Sequence, residues 1–145
     1  MTNVNSNLVN KEGQQTVIAI VGASASGKSL FAQTIYEELL PELGENSISI
    51  IKEDSYYRNQ DHVELTERPK VNYDHPDAFE HELLSEHLSQ LSTFSAIDIP
   101  LYCFNTHTRK TQTKNLQPSK VVLVEGILLL EDEELRNHFD LKVFM

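Results

Sequence analysis

Gly22-Ala23-Ser24-Ala25-Ser26-Gly27-Lys28-Ser29 is the stretch on which the rest of the chain depends. It fits the phosphate-binding pattern G-x-x-x-x-G-K-[ST], whose glycines let the backbone curl until successive N–H groups face phosphate oxygens. Its flanks supply the context that the pattern needs. Before it, Thr16–Val21 is a short apolar, β-branched run that reads as a buried strand. After it, residues 30–40 read as a helix ended by Pro41, with Phe31, Ile35 and Leu39 forming a stripe to lay on a sheet. Strand, loop and helix in that order predict a nucleoside-triphosphate site. The helix N-terminus adds unpaired donors and partial positive charge. Lys28 is expected to reach the β- and γ-phosphates, and the Ser29 hydroxyl to ligate Mg²⁺.

Composition narrows what such a site serves. The chain has 145 residues, 39% hydrophobic and 23% charged, which suits one globular domain. Twenty-two acidic residues against 12 basic ones give a net charge of −10. That excess argues against a nucleic-acid partner or an anionic membrane, both of which want clustered Lys and Arg. Cys103 stands alone, so no intrachain disulfide forms, and a reducing, cytoplasmic setting is expected. No run reaches the 18 or more apolar residues of a membrane span, and residues 121–130 are interrupted by Glu125 and Gly126. Residues 1–15, with four Asn and no apolar core, read as a disordered tail, leaving 16–145 as a single α/β domain. His75, His81 and His87 are six apart, which turns them to different faces of a helix and disfavours a zinc site.

Further motifs follow in order. Ser47–Ile51 reads as a second strand, and Asp54 lies just beyond it, on the rim where α/β sheets bind ligands. A carboxylate there accepts a hydroxyl proton or holds a Mg²⁺-bound water, or else serves only as a helix N-cap. Residues 59–72 are polar and irregular, and Tyr73-Asp74-His75-Pro76-Asp77 opens a helix to about residue 92 along Phe79, Leu83, Leu84, Leu88 and Leu91. Residues 96–110 read as an edge strand, with 111–116 as its return. Tyr102, Phe104 and His107 either present aromatic faces to a flat heterocycle or pack the ribbon onto the domain. Lys120–Gly126 is a buried parallel strand ending in Glu125, an acid placed to help hold Mg²⁺. Residues 131–139 read as a short acidic helix and 141–145 as a further strand.

Taken together, these stretches resemble the uridine kinases (uridine–cytidine kinases). The likeness is carried by Gly22–Ser29, Glu53-Asp54-Ser55-Tyr56-Tyr57, Asn72–Ala78, Ile99–Tyr102 with His107–Lys110, and Val124–Leu128. It implies a P-loop NTPase-type parallel sheet flanked by helices, with a β-hairpin insertion at the nucleoside site. It also implies transfer of the γ-phosphoryl group of ATP, or GTP, to the 5′-hydroxyl of uridine or cytidine, with Mg²⁺ as cofactor. By the same resemblance Asp54 is the catalytic carboxylate, with Lys28, and Asp74 holds the ribose hydroxyls. Tyr57, Tyr73, Tyr102, Phe104 and His107 build the nucleoside pocket, and Ser29, Glu125 and Asp54 serve the metal. A homotetramer is implied as well. Family members continue with an arginine-rich lid helix and closing elements, so the resemblance presents this chain as lacking the C-terminal lid, with Leu141–Met145 an exposed apolar edge. Phosphoribulokinase-like activity and a non-catalytic nucleotide-binding fragment are the alternative expectations.

Overall fold

Two apolar, β-branched runs, Thr16–Val21 and residues 121–124, have no polar face to offer water, so each must lie inside a sheet covered on both sides. In the computed structural model, which describes residues 15–145, they do so. The expected N-terminal tail lies outside the described residues except for Gln15, whose side-chain amide donates to Ser119 O at 2.8 Å. In order the chain builds β1 (Thr16–Val21), α1 (Lys28–Leu43), β2 (Ile48–Lys52), α2 (His81–Ser92), β3 (Ile97–Cys103), β4 (Thr108–Leu116), β5 (Val121–Gly126), α3 (Glu133–Arg136) and β6 (Leu141–Phe144). Strands β2, β5, β1 and β6 form a parallel sheet in that spatial order, and β3 pairs with β4 as an antiparallel hairpin. The core sits under the sheet, where Ala19, Ile51, Val122 and Val124 meet Leu84, Leu88 and Leu91 of α2 and Ile97 and Ile99 of β3. Asp140 stitches β6 to β1: its side chain accepts from Val17 N and its own amide donates to Val17 O, both at 2.8 Å. β6 is an edge strand, with Leu141, Phe144 and Met145 exposed.

Local departures from the sequence reading have physical causes. Helix α1 does not end at Pro41 but runs to Leu43, where Gly44 at φ 90° caps it and donates to Leu40 O. Pro41 lies in the final turn, so its missing N–H forfeits a single bond rather than a run of them. Its apolar stripe is only half-buried at Phe31, Ile35 and Leu39. The helix expected from residue 73 is broken. Pro76–Ala78 is a 3₁₀ turn, Phe79 is extended, and α2 starts at His81. Tertiary hydrogen bonds decide this, because Phe79 bridges Tyr57 and the Glu80 amide donates to Tyr56 O at 2.8 Å. The hairpin turns at residues 104–107, earlier than the expected return at 111, with His107 at φ 55°. The acidic helix shortens to α3, capped by Asp132 accepting from Leu135 N at 2.8 Å.

Beneath the sheet, Tyr56 and His87 pair at 2.8 Å. Burial pushes the Tyr56 phenol up, so it keeps its proton and donates to neutral His87 Nδ1. Burial also holds His87 below the ordinary imidazole value, outweighing the raising effects of Glu86, Asp98 and Glu80. The unfolded chain therefore takes up protons first as pH falls below about 6.5, and the folded state loses stability relative to it. Thermal unfolding is expected to show a Tm that declines between pH 7 and 5, and His87→Gln is expected to flatten that decline. Each kcal/mol lost moves the midpoint by roughly 4 °C in a domain of this size.

Candidate active site

Parallel pairing decides what meets at the sheet rim. Ile20 lies opposite Glu125 and Val21 opposite Gly126 in the β1–β5 ladder, and Lys52 of β2 lies opposite Glu125 on its other side. The loop after β1, the turn after β2 and the acid at the end of β5 therefore emerge side by side. The loop holds Gly27 at φ 90° and Ala25 at φ 64°. For alanine the left-handed conformation costs about 1–2 kcal/mol, strain of a kind that gathers at binding loops. Gly22 has no room for a side chain, since a Cβ there would stand 2.7 Å from Ser26 Oγ. Helix α1 starts at Lys28 directly behind the loop, so its unpaired first amides face the rim.

Ser29 Oγ donates to Glu125 Oε1 at 2.7 Å, so two of the three expected metal-side groups are in contact. The other carboxylate oxygen, Glu125 Oε2, is buried with no hydrogen-bond partner among the described residues. Leaving such an oxygen unpaired is costly, and a cation beside it removes the cost. Mg²⁺ commonly takes one or two protein groups and completes its shell with phosphate and water, so Ser29 and Glu125 suit it. Asp54 lies in the 3₁₀ turn Glu53–Tyr56 and is exposed to the rim. Its carboxyl is held above the ordinary value, first by partial desolvation and then by the negative charge of Glu53, with Glu125 adding to it and Lys28 and Lys52 opposing. Lys28, Asp54 and Glu125 thus share one electrostatic neighbourhood.

The expected nucleoside residues also converge. Tyr57 stacks on Phe79 at 4.3 Å, lies 5.4 Å from the Tyr102 ring, and meets Tyr73 and Phe104 edge-on. Tyr73 and His107 stack at 4.8 Å. The Tyr57 phenol is pushed up by burial first and then by the charges of Asp54, Glu53 and Asp74, which puts it among these carboxylates. Burial also pushes Tyr102 up to about 12, with the neighbouring Tyr73 adding to the shift. Asp74 is exposed beside this group, in a turn where its amide donates to Asn72 Oδ1 at 3.1 Å.

The hairpin reaches this position through arginines that the sequence reading left aside. Arg109 pairs with Glu80 at 2.6 Å and donates to the carbonyls of Tyr57 and Tyr56. Arg68 donates to Val63, Thr106 and Asp61 carbonyls, and Tyr73 returns its hydroxyl to Arg68 O at 2.6 Å. Also unforeseen is Glu53, fully buried behind Asp54. Its carboxylate lies 2.6 Å from His81 Nε2 and accepts from the amides of Ile127 and Leu128. One trace of this in the sequence is Gly126, where a Cβ would stand 2.5 Å from Glu53 Oε1. A groove of about 780 Å³ lies elsewhere, between α1, β2 and the hairpin.

Fold and rim together are those of the P-loop kinase fold class. Among solved structures, one described as a "possible uridine kinase" from Bacillus stearothermophilus aligns with a TM-score of 0.69 at 21% identity, covering 99% of this chain and 77% of that one. A D-glycerate 3-kinase from Cryptococcus neoformans aligns at 0.59 and 21% identity, covering 87% of this chain and 50% of that one. Within that class the chain belongs to the phosphoribulokinase / uridine kinase family, whose model matches residues 17–145. It is 52% identical over 132 residues to a uridine kinase of Shewanella amazonensis, covering 91% of this chain and 62% of the relative. It is 54% identical over 129 residues to a uridine kinase of Tolumonas auensis, covering 89% and 60%. The chain thus spans about three fifths of the length of these relatives. Among the described residues, no helix is long and apolar enough to cross a membrane.

Gly126→Ala is expected to force Glu53 or the end of β5 aside. Denaturant unfolding should register a loss of about 1–3 kcal/mol, the usual effect of overpacking.

Proposed function

We propose that the protein of which this chain forms part phosphorylates the 5′-hydroxyl of uridine, and of cytidine, with ATP or GTP as donor. The observation that supports this most directly is the siting of Tyr57. Its ring belongs to the aromatic group of Phe79, Tyr73 and Tyr102, while its phenol feels both Asp54 and Asp74. A flat base beside those rings would set its ribose between one carboxylate suited to the 5′-hydroxyl and another suited to the vicinal diol. A carboxylate offers two acceptor oxygens, and a 2′,3′-diol offers two adjacent donors.

In this reading the loop amides and Lys28 hold the β- and γ-phosphates and offset their charge, while Ser29 and Glu125 hold Mg²⁺. The chemistry such a metal would supply at Ser29 and Glu125 is neutralisation of the charge that builds up on the phosphates. Asp54 takes the proton from the 5′-hydroxyl as the new O–P bond forms and the bond to the leaving ADP breaks. Tyr57, Tyr73, Tyr102, Phe104 and His107 orient the nucleoside, and orientation is most of what phosphoryl transfer asks of a protein.

A phosphorylated acceptor such as ribulose 5-phosphate would need cations free to meet its phosphate. The arginines around the aromatic group are already committed: Arg109 to Glu80, Arg58 to Glu82, and Arg68 to three carbonyls. That favours a neutral nucleoside.

A coupled assay with uridine, cytidine and ribulose 5-phosphate tests the reading. Turnover with the nucleosides alone is expected, and turnover with the sugar phosphate alone would overturn it. Asp54→Asn is expected to lower kcat about 10²–10⁴-fold, the range for removing a general base, with uridine binding retained. Asp74→Ala is expected to raise the KM for uridine about 10–100-fold and to narrow the preference over 2′-deoxyuridine, because hydrogen bonds to a charged group are lost.

A further inference from the structure

Glu53 plays no part in the transfer reaction, yet it is tied to the Asp54 turn, to the backbone after β5 and, through His81, to the aromatic group. It shares the 3₁₀ turn of Asp54. Its Oε1 accepts from Ile127 N at 2.8 Å and from Leu128 N at 3.1 Å, the backbone that follows Glu125-Gly126. Its Oε2 lies 2.6 Å from His81 Nε2. The His81 ring stacks on Phe79 at 5.3 Å with an interplanar angle of 4°, and Phe79 stacks in turn on Tyr57. Glu53 is 0% exposed and His81 4%. A carboxylate buried that deeply persists only when its oxygens are partnered, and here both are. The missing side chain of Gly126 is what admits it, since Glu53 carbons would stand 2.6 and 2.8 Å from a Cβ at that position.

We propose that Glu53 is a positioning residue, bolting the backbone after β5 to the turn after β2 and so fixing Glu125 relative to Asp54, with His81 bracing the bolt from α2. The role is one of length and hydrogen-bond geometry. Gln in its place keeps an oxygen for the two amides and sets an amide against His81. Asp keeps the charge but is one methylene too short to span the gap. The proposal rests on the kinase reading in taking Glu125 as the Mg²⁺ carboxylate, and its test avoids the acceptor nucleoside.

ADP is titrated calorimetrically into wild type, E53Q, E53D and E53A over a range of Mg²⁺ concentrations and without metal. E53D and E53A are expected to raise the Mg²⁺ needed for half-maximal binding about 10–100-fold, as when a residue supporting a metal ligand is lost, with metal-free affinity unchanged. E53Q is expected to follow wild type. Amide hydrogen exchange reads the bolt with no ligand present: Ile127 and Leu128 should lose protection in E53D and E53A and keep it in E53Q, with Ile18–Ile20 of β1 unchanged throughout. Wild-type behaviour of E53D overturns the proposal. So does metal-free affinity falling in step with the Mg²⁺ effect, which would make Glu53 general scaffolding, and so does Mg²⁺-independent ADP binding by wild type. A wild-type protein that behaves as expected with ADP but leaves uridine unphosphorylated overturns the nucleoside reading and leaves Glu53 standing.

Discussion

The parallel register of β1 against β5 is the constraint from which the site follows. With Ile20 opposite Glu125 and Val21 opposite Gly126, both strands end together, and the Gly22 amide still donates to Gly126 O at 3.2 Å as the loop begins. Side chains alternate across a strand, so a slip of one residue would turn Glu125 to the other face and part it from Ser29. The slip is resisted by the core, because Ala19, Val122 and Val124 would leave their apolar neighbours at the same step.

The acceptor half of the rim is organised differently. Among the described residues, no strand ladder joins the β3–β4 hairpin to the main sheet. Ile97 and Ile99 anchor its base in the core, while its rim end is held by Arg109 against Glu80 and the Tyr56 and Tyr57 carbonyls, by Arg68 against Thr106 O, and by stacked rings. Side-chain ties of this kind yield more readily than a buried parallel sheet, because each is a single bond near solvent. The phosphate half of the site is thus built on sheet backbone and the nucleoside half on side chains.

This difference accounts for what could be read in advance. Elements fixed by local pattern were legible: the strand before Gly22, the loop, and the strand ending at Glu125 all lie where periodicity and glycine spacing put them. The stretch from Tyr73 to Glu80 was not, because the Glu80 amide donates to Tyr56 O and the Arg58 amide to Ala78 O, long-range bonds that override a local helical pattern. Pro41 misled for a related reason: the effect of proline depends on how many helix bonds remain beyond it, and here the helix was almost complete. Glu53 and His81 are 28 positions apart, and neither stands in a pattern that announces a buried pair.

By itself, the sequence determined the phosphate cradle and the parallel strands around it, because glycine spacing and apolar β-branched runs restrict the backbone within a few residues. It also presented Asp54, Asp74 and the aromatic residues as candidates, through their likeness to a family. Only the tertiary structure decided that Ser29 touches Glu125, that Tyr57 lies within the influence of both aspartates, and that Glu53 ties the ends of β2 and β5 to α2. Each of these is a meeting of side chains far apart in the chain, and such meetings are set by strand register and burial, which no local run of residues encodes.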